Sequence, residues 1–217
     1  MFPLFTFGSY VLNRKRLIDK ILKNIEMQRS EFYRIKAGQS IYINSCKGMG
    51  KTSILMLIAR ILKNQGCEVY CFATSASFPA DSQSQIERLL TNKNKRFVFL
   101  IDEVSFKHDV GTMNTLLRGM YSNLVVIGAG VSVEEAIGIT GNFFLNMGIS
   151  DLAIRKTDDD YVKLVERLSG GENAALVSDI CAYILNNTGG HVFPCLFLIE
   201  YFVGSPESRI RFDSFDK

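Results

Sequence analysis

The stretch Ile41-Tyr42-Ile43-Asn44-Ser45-Cys46-Lys47-Gly48-Met49-Gly50-Lys51-Thr52-Ser53-Ile54-Leu55-Met56-Leu57 changes character twice. It begins with β-branched and aromatic residues that suit a strand, passes through two glycines, and continues as an apolar run of helical character. A strand that feeds a glycine-bearing loop and then a helix is suited to holding an anion. Residues without Cβ accept positive φ and bring backbone N–H groups close to a phosphate. The following helix presents unpaired N–H groups and the positive end of its dipole to the same charge.

The spacing approximates the Walker A pattern of Gly, four free positions, then Gly-Lys-Ser/Thr, with Ser45 where the first Gly is expected. Lys51 is then the residue that reaches the β- and γ-phosphates, and the Thr52 hydroxyl is a ligand for Mg²⁺. Ser45, Cys46, Lys47, Gly48, Met49, Gly50, Lys51, Thr52 and Ser53 are the expected contacts to ATP or ADP. An ordinary glycine turn carries the same half-pattern, so the surrounding chain has to decide.

Downstream, Phe97-Val98-Phe99-Leu100-Ile101 is a continuously apolar run, as expected of a strand covered on both faces, and it ends in Asp102-Glu103. Four such runs alternate with helical stretches between 40 and 127, with a further strand expected between Phe143 and Ile154. This pattern predicts an α/β fold with a parallel sheet layered between helices. In such sheets ligands sit beyond the carboxyl ends of the strands, so Lys51, Thr52, Asp102 and Glu103 are expected to converge. An acidic strand end facing solvent explains Asp102-Glu103 taken alone. Behind a phosphate loop the pair reads as Walker B, with Asp102 serving the metal and Glu103 orienting or deprotonating the attacking water.

After Lys156 the pattern becomes all-helical. Thr157 is placed as a helix cap before three acids, and helices are expected over 161–168, 173–185 and 192–203. The expected organisation is a core over 1–156 and a small helical lid over 157–217. An amphipathic helix carrying Leu17, Ile18, Ile21, Leu22 and Ile25 precedes the phosphate loop. Further helices are expected from Thr112 and around 133–139.

Composition narrows the class. At 217 residues, 47% apolar and 22% charged, the chain is long enough for one sizeable core and unlike a disordered segment. A net charge of +3 with its basic residues spread along the chain gives no direct argument for nucleic acid. The five cysteines and two histidines show no zinc spacing, and reduced thiols in a cytoplasmic or nuclear protein are expected. Neither a signal peptide nor a membrane span is read.

With Asp directly followed by Glu, and one strand between the strands bearing the two motifs, the chain resembles the AAA+ and STAND ATPases. Tyr10-Val11-Leu12-Asn13-Arg14 is similar to the segment whose backbone holds adenine there, with Asn13 in place of Gly, and this implies Tyr10 and Val11 as base contacts. Thr188-Gly189-Gly190-His191 resembles the Gly-Gly-x-Pro turn of the STAND lid, although Pro194 comes later. A weaker likeness, on short stretches, is to the P-loop module of Crinkler-type effectors, which implies a secreted effector if a segment precedes Met1. The resemblance also implies a polar residue at the end of the fourth strand, where Gly128-Ala129-Gly130 offers none and Ser132 is only a distant substitute, and an arginine finger, for which Arg118 and Arg155 stay open. The implied function is Mg²⁺-dependent ATP binding and hydrolysis as a switch in a larger assembly, with other domains or subunits, a homo-oligomer among them, as partners. Two alternatives stay open: a nucleotide-binding interaction module with little turnover, and a small-acceptor kinase, against which Glu103 argues.

Overall fold

The structure, a computed structural model, describes residues 14–27, 39–73, 82–104, 121, 123–131, 144–168 and 174–203. Tyr10, Val11 and the helices expected from Thr112 and around 133–139 lie outside them. The chain packs as two compact units. One holds the described residues of Leu17–Lys47 and Lys51–Asp151, the other those of Pro3–Arg16, Gly48–Gly50 and Leu152–Lys217.

The first unit is built on a five-stranded sheet of β1 (Gln39–Asn44), β2 (Glu68–Phe72), β3 (Phe97–Ile101), β4 (Leu124–Gly130) and β5 (Phe144–Met147). The order is β2-β3-β4-β1-β5 and every neighbouring pair is parallel. The expected parallel α/β fold is therefore the observed one, and the vague fifth strand resolves into four residues beside β1. All strands being parallel, their carboxyl ends share one edge.

Every residue of β3 and β4 is buried, as their unbroken apolar runs require. Side chains alternate between the faces. Phe97, Phe99 and Ile101 gather with Tyr42, Leu124, Val126 and Val104 beneath Ile86 and Leu90 of α3 (Ser82–Leu90). Tyr70 and Phe72 meet Phe99 edge to face, with ring centroids 5.5 and 5.7 Å away. The alternate residues Val98, Leu100, Val125 and Ile127 take the other face. Helix α2 (Lys51–Asn64) packs against β2, β3 and β4 and buries Ile54, Leu55, Ile58, Ala59 and Leu62. Each fully buried Ile or Leu contributes roughly 1.5–3 kcal/mol, so this face fixes the start of α2, where the site lies. Helix α1 (Lys15–Met27) buries Leu17, Ile18, Ile21 and Ile25 at the expected helical spacing. A short α4 (Ile149–Leu152) follows β5.

The carboxyl end of β4 is filled from β1. Tyr42 pairs with Gly128 and Asn44 with Gly130. The Tyr42 ring, 1% exposed, leans along the strand. A Cβ on Gly130 would stand 2.1 Å from its hydroxyl and 3.1 Å from its Cζ. Gly130 is glycine because a phenol occupies the space a side chain would need.

The second unit contains α5 (Asp159–Leu168), α6 (Ala174–Thr188) and α7 (Val192–Val203). Ile154, Tyr161, Val165, Val177, Ile184, Val192, Cys195 and Ile199 belong to its core. The Tyr161 hydroxyl donates to the Cys181 carbonyl at 3.2 Å, and burial pushes the Cys181 thiol up to about 11. Helix α5 starts one residue later than a Thr157 cap requires. Asp158 holds that position, and its carboxylate accepts from Arg16 Nε at 2.7 Å and from the Arg155 backbone at 2.9 Å.

Gly130→Ala is expected to cost about 1–3 kcal/mol through overpacking. Tyr42→Phe in the same chain should recover part of that loss by removing the nearest atom, and thermal unfolding of the two variants checks both.

Candidate functional site

The phosphate-loop stretch turns on two left-handed glycines, Gly48 at φ 80° and Gly50 at φ 77°. Any other residue would be strained at both places. Ser45 needs no such freedom: among the described residues only Arg14 and Glu103 take positive φ without being glycine. A Cβ is therefore tolerated at the one position that departs from the pattern. Ser45 continues the ladder, its N–H donating to the Gly130 carbonyl at 3.2 Å.

Lys51 opens α2 and folds back over the loop. Its Nζ donates to the carbonyls of Ser45 at 2.7 Å and Cys46 at 2.8 Å. Burial lowers the pKa of this ammonium, while the charges of Asp102 first, then Cys46 and Glu103, oppose the shift. The next residue, Thr52, donates from Oγ1 to Asp102 Oδ2 at 2.5 Å. Asp102 is 7% exposed, and its Oδ1 accepts the Glu103 backbone N–H at 3.0 Å. Lys51, Thr52, Asp102 and Glu103 thus meet at one sheet edge. Cys46 is half-buried, Lys47 is exposed, and Ser53 lies half-buried in the first turn of α2.

Two adjacent acids would point to opposite faces of an ordinary strand. Here the ladder is interrupted. Phe97 N donates to Asn123 O and Val104 N to Ala129 O, so seven steps along the β3 chain match six along β4. The surplus residue is Glu103, at φ 44° and exposed. This is a β-bulge with its left-handed residue occupied by glutamate rather than the usual glycine. It leaves Asp102 directed at Thr52, returns Val104 to the core, and lifts the Glu103 carboxylate out of the sheet. Backbone strain of this kind gathers where chemistry needs a side chain re-aimed.

Within the second unit, Gly48 lies against the start of α7. Its carbonyl accepts from Phe193 N at 3.1 Å. A Cβ on Gly48 would stand 3.0 Å from His191 Cε1 and 3.1 Å from Phe193 Cβ, and one on Gly50 would stand 3.8 Å from Val192 Cγ1. Met49 between them is buried. The sequence shows no zinc spacing at His191 and gives no sign of this neighbour, because a contact spanning some 140 residues leaves no local pattern. Tyr42 and the bulge at Glu103 also escape it. An aromatic residue on one strand and a Gly-x-Gly end on another were the only available signal for Tyr42.

The Thr52 hydroxyl and the Asp102 carboxylate are hard oxygen donors of the kind Mg²⁺ takes, with its other positions left to water and phosphate. Among the described residues no cluster of three His, Cys, Asp or Glu side chains is placed to hold a metal ion. Arg155 is exposed, and Arg118 lies outside the described residues. All five cysteines are free of disulfides. Among the described residues no helix is long and apolar enough to cross a membrane.

No protein-family model and no curated protein sequence matches the chain. Solved structures do match. One is replication initiator DnaA bound to AMPPCP and single-stranded DNA, with TM-score 0.52 and 14% identity, covering 92% of this chain and 63% of that one. Another is C. elegans PCH-2, with TM-score 0.45 and 14% identity, covering 91% of this chain and 69% of that one. The chain thus spans less than two thirds of the initiator it matches. The likeness to the initiator is one of fold, a parallel sheet flanked by helices.

Glu103→Gly should leave the protein as stable as the parent or about 0.5–1 kcal/mol more so, since glycine relieves the left-handed strain at an entropic cost of similar size. Glu103→Val should be destabilising. Denaturant titration of the pair distinguishes a bulge from a regular strand position.

Proposed function

We propose that this chain binds Mg²⁺·ATP at the edge formed by the phosphate loop and Asp102-Glu103, hydrolyses it, and acts as a nucleotide-driven switch in a larger protein or assembly. The observation that carries the reading is the Thr52–Asp102 hydrogen bond at 2.5 Å, which joins the residue after the loop lysine to the acid ending β3. Neither packing nor the sheet ladder asks for a buried carboxylate there. A metal ion and a polyphosphate do.

The roles follow from chemistry. The backbone N–H groups of the loop and the start of α2 receive the phosphates, and Lys51 neutralises their charge. Lys51 is already held over the loop by two carbonyls, so little side-chain freedom is lost when an anion arrives. Thr52 and Asp102 would hold Mg²⁺, which supplies charge neutralisation at the phosphates. Glu103, exposed on its bulge, is the group free to take a proton from water. The carbonyl of Gly48 on the first turn of α7 gives the switch a route, because a change in the loop is felt directly by that helix. AMPPCP in the DnaA structure supports a nucleotide as ligand. Its single-stranded DNA is not carried over, the net charge here being only +3.

A second reading keeps nucleotide binding and drops efficient turnover. It is favoured by one observation, the end of β4, where Gly128-Ala129-Gly130 offers no polar side chain and Tyr42 fills the space.

Lys51→Ala should lose at least tenfold in ATP affinity by calorimetry. Glu103→Gln should bind ATP as the parent does and lose most phosphate release; turnover at the parent rate in that variant would remove Glu103 from its role. A parent that binds ATP and releases no phosphate would select the second reading.

A further inference from the structure

Lys47 stands three residues beyond β1, just before the left-handed turn at Gly48, and its side chain is exposed. Among the described residues its ammonium takes part in no ion pair and no hydrogen bond. It nevertheless lies close to the loop lysine. Lys51 Nζ donates to the Cys46 carbonyl at 2.8 Å, and the carbon of that carbonyl is bonded to the Lys47 nitrogen. A carbonyl oxygen lies about 2.8 Å from the next Cα, which brings the Lys47 Cα within about 5.6 Å of the Lys51 ammonium. The flexible four-carbon stem of a lysine covers that distance.

The charges at this edge favour an anion only when Lys47 is counted. Burial is the main cause that lowers the Lys51 pKa, and of the charges acting on that ammonium Lys47 alone adds to the shift, against Asp102, Cys46 and Glu103. No arginine is among them. Two ammonium groups held this close repel each other, and an anion placed between them turns the repulsion into attraction. Without Lys47, the ionised side chains of Lys51, Asp102 and Glu103 leave one negative charge where a polyphosphate has to bind. With Lys47 they balance.

We infer that Lys47 is a second catalytic cation, its ammonium contacting an oxygen of the γ-phosphate and stabilising the charge of the phosphoryl group during transfer. This rests on the ATPase reading above. In the step it serves, the water oxygen forms a bond to the γ-phosphorus as the bond from that phosphorus to the β–γ bridging oxygen breaks. The electron pair leaves with ADP, and the water proton passes to the Glu103 carboxylate. Lys47 gives up no proton and keeps its charge throughout. It supplies from inside the loop the positive charge that an arginine supplies in other nucleotide hydrolases.

The test uses the whole chain. Lys47→Met keeps the reach of the side chain without its charge and should lower kcat about 100-fold, the loss expected when one contact to the developing charge is removed. Its ADP affinity should stay within twofold of the parent, since ADP has no γ-phosphate. Lys47→Arg, which keeps a cation, should recover most of the rate. Both variants should unfold at the parent temperature because the side chain is exposed. A Lys47→Met protein that turns over at the parent rate, or that loses ADP affinity in proportion to rate, overturns the inference and leaves the ATPase reading standing. A parent that binds neither ATP nor ADP overturns both. If the parent binds ADP without measurable turnover, affinity for ADP with aluminium fluoride decides. A tenfold loss in Lys47→Met at unchanged ADP affinity supports the role of Lys47, and equal affinities overturn it.

Discussion

The hydrogen bond from Thr52 to Asp102 is the constraint on which the geometry of the edge depends. It ties the first turn of α2 to the last residue of β3, two elements separated by 50 positions in the chain. Helix α2 reaches that point because its apolar face is committed to β2, β3 and β4, and β3 reaches it because both its faces are buried. Burying the carboxylate is costly unless its oxygens are occupied, and here they are, one by a hydroxyl and one by the next backbone N–H. The loop between β1 and α2 is then pinned at both ends, by the Ser45–Gly130 ladder bond and by Thr52. Its two left-handed glycines turn the chain between those anchors.

Much of this was legible in the sequence, and for stated reasons. The apolar runs at 97–101 and 124–127 read as strands covered on both faces. The Gly48-x-Gly50-Lys51-Thr52 spacing could be placed against them, and the parallel fold and the meeting of Lys51, Thr52, Asp102 and Glu103 followed. What was not legible is long-range or conformational. The bulge depends on the register between β3 and β4, and a sequence does not display register. Glutamate also hides it, since the residue that advertises a left-handed turn is glycine. The contact of Gly48 with Phe193 and His191 and the bonds of Arg14 to Asp160 and Arg16 to Asp158 join positions about 140 residues apart. No local periodicity records them. The Thr157 cap failed by one residue because the carboxylate of Asp158 has two other partners that hold the chain there.

The departures from the expected motifs have separate physical causes. Ser45 replaces glycine where the backbone stays out of the left-handed region, so the substitution costs no strain. Gly130 stands where the Tyr42 phenol has taken the volume of a side chain, and Gly128 where a Cβ would lie 3.0 Å from Val104 Cγ2 and 3.4 Å from Tyr42 Cδ2. The first substitution leaves the turns at Gly48 and Gly50 untouched. The second leaves the edge between β1 and β3 without a side chain from β4.

The bulge has a further meaning. Val104 resumes the pairing that Ile101 left, and the hydrophobic cluster on the α3 face runs on through it as though nothing intervened. In terms of the sheet, Glu103 is supernumerary: a chain one residue shorter would pair β3 with β4 without a fault and keep every core side chain on its own side. Architecture alone would have omitted it. Glu103 is thus held in a conformation its side chain disfavours at a point where neither the pairing nor the core of the sheet requires a residue.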